Sequence, residues 1–190
     1  MQFDQMDIAE LKAELERLHS ASFGWALSCC RRDHSDAEEV LQTVYLKIFE
    51  GKAVFRGESS LKTWLFAVIR KTAATEYRRK LLRTLRLTTD TTEVENRGAF
   101  ETPTTSFERS EVQAHFQSAL KALPKRQREA LHLVFYEDLS LREAAGVMGV
   151  SIGSARQHYE RGKKKVRESL AKMEVGYGNN WGRQENPSAV

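Results

Sequence analysis

A short stretch of the sequence, residues 138–170, constrains the fold more than any other part of the chain. Ser140 is followed three residues later by Glu143, which is the spacing of a capping box at the start of a helix. Gly149 stands where that helix has to end with a positive φ, and Ser151 is a suitable N-cap for another helix. The segment therefore predicts two helices joined by a tight glycine turn, which is a helix-turn-helix.

The apolar residues of this stretch repeat with the period of a helix, so each helix has one face that can be buried. In the first helix these residues are Leu141, Ala144, Ala145 and Met148. In the second helix they are Ile152, Ala155, Tyr159, Val166 and Leu170.

The opposite face of the second helix is polar at its start and basic further on. Its side chains are Ser154, Arg156, Gln157, Glu160, Arg161 and Lys164. Short polar side chains and arginine near a helix N-terminus can reach base edges in the major groove, whereas later lysines meet phosphates. A solvated surface helix is the alternative, but the cap, the glycine turn and this order of side chains together favour DNA binding.

The whole chain of 190 residues shows no persistent strand-like alternation and few prolines, so we predict an all-α protein of two small domains. No apolar run reaches membrane-spanning length, and the N-terminus is acidic and helical rather than a signal peptide. The adjacent Cys29 and Cys30 have neither metal-ligand spacing nor a disulfide framework. We interpret them as small core residues rather than a redox sensor, and expect a reducing cytoplasm as the compartment.

The first domain contains a helix with one acidic and polar face. Ser35 and Glu38 predict a capping box at its start. Its outward side chains are Asp36, Glu39, Gln42 and Thr43. Such a face is either solvated or docks on a basic partner, and composition does not distinguish these two alternatives.

A glycine-containing loop and a basic helix follow. The loop consists of Phe55, Arg56, Gly57, Glu58, Ser59 and Ser60, and the cations of the helix include Arg70, Lys71, Arg78 and Arg79. Phe66 and Tyr77 lie among the cations, and this combination suits a nucleic-acid backbone and unstacked bases. The helix dipole favours cations in the last turn alone, so nucleic acid is the preferred interpretation.

Residues 88–110 are rich in threonine, acidic and without periodic apolar residues, which predicts a flexible linker. We therefore expect a first domain at 1–87 and a second at 111–173, with a disordered tail at 174–190. The second domain is predicted to include a helix after Pro124 with an apolar face made of Ala130, Leu131, Val134 and Phe135.

These stretches together resemble bacterial RNA polymerase sigma factors of the extracytoplasmic-function (ECF) group of the sigma-70 family. The matching segments are DAEEVLQTVYLKIF, FRGESSLKTWLFAVIRK and the block from ALKALPKRQ to VRESL, with the acidic linker between the last two. No nucleotide-binding glycine loop, metal cluster or nucleophile–base pair is recognisable in the sequence. We therefore expect no catalytic residue, no cofactor and no enzyme activity.

The resemblance implies a sigma-2-like helical bundle and a sigma-4-like helix-turn-helix domain. In this family the acidic face at Asp36, Glu39, Gln42 and Thr43 docks on the clamp helices of the polymerase β′ subunit. The resemblance further implies that the loop at 55–60 and the basic helix capture the minus-ten element as a single strand. It also implies that the helix-turn-helix reads the minus-thirty-five element and touches the β flap.

The implied function is a transcription initiation factor with core RNA polymerase and promoter DNA as partners, and an anti-sigma factor is a further family-level expectation. Many relatives have Asn and Asp where this chain has Lys71 and Thr75, so we expect an unusual promoter sequence.

A stand-alone helix-turn-helix regulator is the first rival to this function. An all-α nucleic-acid enzyme is the second, although the sequence offers no carboxylate or histidine cluster for a catalytic metal.

Overall fold

A computed structural model describes residues 8–87 and 116–178, and every regular element within these two ranges is helical. The first domain contains α1 (Ile8–Arg17), α2 (His19–Cys29), α3 (His34–Phe49) and α4 (Leu61–Leu87). The second contains α5 (residues 116–121), α6 (Lys125–Leu131), a π-helical turn (His132–Tyr136), α7 (Leu141–Met148) and α8 (Ile152–Gly178). The predicted all-α class is confirmed. None of the described helices combines the length and apolar character that a membrane span requires.

The predicted domain limits are only partly covered by the described residues. The linker at 88–110 lies outside them, and so do residues 111–115 and 179–190. Helix α8 continues to Gly178, so the tail predicted to start at residue 174 begins as helix.

The core of the first domain is built around Trp25 of α2, which is fully buried. Its indole Nε1 donates a hydrogen bond to the backbone oxygen of Phe66 at 2.9 Å, and the two rings stack with centroids 5.9 Å apart. The core is closed by Leu65 and Ile69 of α4 and by the apolar stripe of α3, which consists of Val40, Leu41, Val44 and Ile48. Phe66 is therefore a core residue, and its predicted place among the nucleic-acid contacts is wrong.

The start of α3 also differs from the prediction. The N-cap is Asp33, whose side chain accepts a hydrogen bond from the backbone N–H of Asp36 at 2.9 Å. Arg31 and Arg32 precede it with φ of 57° and 67°, so the chain turns sharply and enters the helix before Ser35. The capping box predicted at Ser35 is wrong for this reason.

The helix-turn-helix forms as predicted. The backbone N–H of Ser140 donates to Glu143 at 2.9 Å, and that of Glu143 donates to the Ser140 hydroxyl at 3.2 Å. Gly149 ends α7 in the left-handed region, with φ 62° and ψ 44°. Ser151 caps α8 by accepting from the backbone N–H of Ser154 at 3.1 Å.

Two predicted apolar residues of the second domain are exposed. The π-helical turn after α6 is wider than an α-helical turn and shifts the phase of the helix. Leu133 is therefore buried, whereas Phe135 is 64% exposed. Ile152 is 41% exposed because it occupies the first position of α8, and the buried stripe begins three residues later at Ala155.

The two domains pack against each other, chiefly through α4 and α7. Leu133, Leu139 and Ala144 of the second domain join the buried cluster that contains Trp25. The ring of His132 lies 5.2 Å from the ring of Trp25. The core of the first domain is thus continued by side chains of the second.

Candidate polymerase and nucleic-acid interfaces

The acidic face of α3 is accessible, but a cation already contacts it. Glu39 and Gln42 are exposed, and Asp36 and Thr43 are half-buried. Lys80 of α4 places its Nζ 2.5 Å from an Asp36 oxygen and 2.8 Å from a Glu39 oxygen. Hydrogen bonds to these two carboxylates raise the pKa of Lys80, so it stays charged. The sequence places Lys80 among the cations of the basic helix, but it does not reveal this pairing, because Lys80 is more than forty residues from both acids.

The loop before α4 exposes its polar residues, whereas its aromatic residue, Phe55, packs against the protein. Phe55 is half-buried, with its ring 5.5 Å from that of Trp64, whereas residues 56–60 are exposed. Gly57 has φ 71°, a backbone conformation that favours glycine. Ser60 accepts from the backbone N–H of Thr63 at 3.2 Å and so caps α4. Arg56, Gly57, Glu58 and Ser59 are consequently presented to solvent.

The C-terminal half of α4 presents an exposed basic surface. Lys71 and Arg78 are seven residues apart and share one side of the helix, and Arg79 lies beside them. Tyr77 is partly exposed and is held by Arg31, whose guanidinium lies 4.8 Å from the centre of its ring. A surface of this kind can bind a single-stranded nucleic acid, because cations contact its phosphates and an accessible aromatic ring stacks on its bases.

Arg70 does not belong to this exposed surface, although sequence reasoning placed it there. Its side chain is 22% exposed, and its Nε lies 3.3 Å from an oxygen of Glu129 in the second domain. A local sequence pattern cannot predict this ion pair, because 59 positions separate the two residues. In the structure Arg70 is an interdomain contact.

The start of α8 presents most of the side chains predicted to read DNA. Arg156, Gln157, Glu160, Arg161 and Lys164 are all exposed. Ser154 is half-buried, and its hydroxyl accepts from that of Ser151 at 2.9 Å, so it supports the cap of the helix. Glu160 accepts from Lys163 at 2.9 Å. Within the described residues no ion pair holds Arg156 or Arg161, which leaves both guanidinium groups available to a partner.

The position of α8 depends on a glycine that sequence reasoning did not single out. Gly162 is buried, and a Cβ at this position would lie 3.1 Å from Leu131 Cδ1 and 3.2 Å from the Gln127 backbone oxygen. Helices α6 and α8 therefore approach closely enough to exclude a side chain there. The contact fixes the direction in which the first turns of α8 project from the domain.

The two cysteines are poor nucleophiles. Burial raises the pKa of Cys29 well above its usual value and that of Cys30 to about 11. Both thiols are therefore protonated at neutral pH, which supports their interpretation as packing residues. In the described part of the chain, no three His, Cys, Asp or Glu side chains come together as a metal site requires.

Family models match both domains. The model for sigma-70 region 2 matches residues 15–82, and the model for sigma-70 region 4 matches residues 114–166. The chain belongs to the sigma-70 family. Relatives named as ECF RNA polymerase sigma factors place it in the ECF group.

Two curated relatives of this sigma-70 family member illustrate the level of similarity. The RNA polymerase sigma factor SigZ of Bacillus subtilis is 28% identical over 138 residues, which cover 73% of this chain and 74% of the relative. The RNA polymerase sigma-H factor of Pseudomonas aeruginosa is 26% identical over 147 residues, with 73% and 75% covered.

Solved structures share the fold of this sigma-70 family member. The sigma factor RpoE in complex with the anti-sigma factor NepR from Bartonella quintana aligns with a TM-score of 0.65 and 25% identity, covering 86% of this chain and 98% of that one. CnrH in complex with the cytosolic domain of CnrY aligns with a TM-score of 0.58 and 18% identity. It covers 86% of this chain and 89% of that one, and supports the fold alone.

Proposed function

We propose that this chain is a transcription initiation factor that binds core RNA polymerase and directs it to promoters. One observation supports the proposal: a single chain of this family presents an acidic face on α3, an exposed basic surface on α4 and a helix-turn-helix. A stand-alone regulator needs only the last of these three. The chain would contribute binding and specificity, and the polymerase would contribute the chemistry.

Each surface receives one role in this proposal. The face at Asp36, Glu39, Gln42 and Thr43 docks on the basic side of the β′ clamp helices. Residues 55–60 and the cations Lys71, Arg78 and Arg79 hold the minus-ten strand. Arg156, Gln157 and Arg161 read the minus-thirty-five element in the major groove, while Lys164 contacts phosphate and the domain touches the β flap.

An anti-sigma factor is part of the proposal. The RpoE chain that aligns with this protein was solved with the anti-sigma factor NepR. A partner of that kind would cover the polymerase-binding surfaces until it is released. We place both proteins in the cytoplasm, where core polymerase and promoter DNA are found, with no insertion of this chain into a membrane.

The test is the affinity of the purified chain for core RNA polymerase. Asp36→Lys combined with Glu39→Lys reverses two charges at the docking face. We expect the affinity for core polymerase to fall by about tenfold or more, because the new lysines would repel the basic surface of the clamp helices. Glu10→Lys combined with Glu16→Lys is the matched control, since these two acids are exposed on α1. It should leave the affinity unchanged.

Circular dichroism establishes that both variants are folded. Unchanged core affinity in the folded Asp36/Glu39 variant would contradict the docking assignment. If the parent chain itself does not bind core polymerase, the chain is better described as a stand-alone regulator.

A further inference from the structure

Lys80 of α4 contacts both acids of the docking face on α3. Its Nζ lies 2.5 Å from an Asp36 carboxylate oxygen and 2.8 Å from a Glu39 carboxylate oxygen, and it donates a hydrogen bond to each. The other two residues of this face, Gln42 and Thr43, are neutral. A lysine of the same chain therefore contacts both carboxylates on which electrostatic attraction of a basic partner depends.

The contact is specific to the way α4 packs on α3. Among the described residues, the other ion pairs formed within the first domain join side chains at most four positions apart. Such local pairs follow from the geometry of one helix or turn. Lys80 instead joins two helices and reaches two acids at once, so the tertiary structure of the domain places it on the docking face.

Lys80 lowers the charge that the docking face offers to a partner. Hydrogen bonds to Asp36 and Glu39 raise the pKa of Lys80, so the side chain is a cation at neutral pH. Two carboxylates contribute −2 and one ammonium +1, so the net charge of the three groups is −1 instead of −2. A carboxylate can accept from more than one donor, so Lys80 does not block the acids but weakens their attraction for another cation.

The three side chains also remain accessible to water. The exposed fraction of the side chain is 40% for Lys80, 37% for Asp36 and 53% for Glu39. Ion pairs with this exposure contribute little to folding, because each group is hydrated when its partner leaves. Removal of the lysine should therefore preserve the fold and leave two hydrated carboxylates on α3.

We propose that Lys80 is an internal competitor of the cations of core RNA polymerase, and that it limits the affinity of this chain for the core enzyme. The inference rests on the proposed docking of α3 on the basic side of the β′ clamp helices. During docking, a basic side chain of the polymerase has to share or replace the contacts that Lys80 makes with Asp36 and Glu39. Lys80 thus holds the affinity below the value that the two acids alone would give.

The test is equilibrium binding of the purified full chain to immobilised core RNA polymerase at several salt concentrations. Lys80→Met removes the ammonium and keeps an apolar stem of similar length. We expect the affinity to rise by about two- to fivefold at low salt, the range that partly exposed ion pairs contribute. The gain should shrink as the salt concentration rises, because salt screens these charges. Lys80→Gln should show the same gain, and Lys80→Arg should bind as the parent chain does.

A double-mutant cycle shows whether the gain arises from the two acids. Asp36→Asn combined with Glu39→Gln neutralises both acids at nearly constant shape. Addition of Lys80→Met to this variant should leave its affinity unchanged. A gain of equal size in that background overturns the proposal, because Lys80 would then repel the polymerase directly.

Arg17→Met is the matched control for the removal of a paired cation. Arg17 lies on α1, where its Nη2 is 2.6 Å from a Glu14 carboxylate oxygen, so the substitution also frees one acid of the first domain. Its affinity for core polymerase should equal that of the parent chain, and circular dichroism establishes that each variant is folded. An equal gain in Arg17→Met overturns the proposal, as does an unchanged or lower affinity in the folded Lys80 variants that lack the charge.

Failure of this inference is distinguishable from failure of the proposed function. If the parent chain binds core polymerase, and neither Lys80→Met nor Lys80→Gln binds more tightly, the internal competition is wrong and the initiation role stands. If the parent chain does not bind core polymerase, the proposed function is wrong and this inference fails with it.

Discussion

Replacement of Gly162 by alanine should destabilise the second domain, although alanine is the better helix former. Glycine in a helix interior costs about 1 kcal/mol relative to alanine, so the substitution alone would stabilise α8. The new Cβ, however, would lie 3.2 Å from the Gln127 backbone oxygen and 3.1 Å from Leu131 Cδ1. The leucine tip can rotate away, but the carbonyl belongs to α6 and moves only with that helix. Overpacking of this kind costs about 1–3 kcal/mol.

Gly146→Ala is the matched control, because this glycine is exposed within α7 and a Cβ there meets nothing within 4 Å. It should stabilise the protein by about 1 kcal/mol. The propensity gain is the same in both variants, so the difference between their free energies of unfolding measures the overpacking, about 1–3 kcal/mol. Urea unfolding followed by circular dichroism provides both values. If the two substitutions stabilise equally, α6 and α8 are not as close as described.

Three further substitutions and one chemical reaction test other parts of the structure. Ser140→Ala should lower the free energy of unfolding by about 1 kcal/mol through loss of the α7 cap, and a change below experimental error in urea unfolding would count against that cap. Arg156→Ala should weaken binding to a cognate minus-thirty-five duplex by about 1–3 kcal/mol and relax base preference, whereas Lys164→Ala should weaken all duplexes alike and reduce the salt slope by about one. Equal losses on cognate and scrambled duplexes for Arg156→Ala would make it a phosphate contact. Alkylation of Cys30 by iodoacetamide should keep accelerating up to about pH 11, and a plateau near pH 9 would contradict its raised pKa.

Local chemistry explains which features the sequence could predict. A capping box joins residues three positions apart, so Ser140 and Glu143 predict the start of α7 from local sequence. A helix end in the left-handed conformation favours glycine, so Gly149 predicts where α7 ends. The apolar stripe of α3 was predictable for the same reason, because the helical period alone selects its buried face.

The predictions failed where a tertiary contact or an irregular turn decides the outcome. Phe135 is exposed because a π-helical turn shifts the helix by one residue, which no apolar period reveals. The pairs of Lys80 with Asp36 and of Arg70 with Glu129 join residues 44 and 59 positions apart. The charge of these side chains predicts that each binds a group of opposite charge. It does not reveal that this group is a side chain of the same protein.

Run-off transcription with core RNA polymerase, a promoter library and the purified chain tests the central claim most directly. We expect the chain to initiate transcription from a subset of the library that shares one minus-ten and one minus-thirty-five sequence, and core polymerase alone to leave that subset silent. The Asp36→Lys/Glu39→Lys variant should lose this activity, and the Glu10→Lys/Glu16→Lys control should retain it. Initiation that is equally frequent with and without the chain, at every promoter in the library, would contradict the proposed role in promoter recognition.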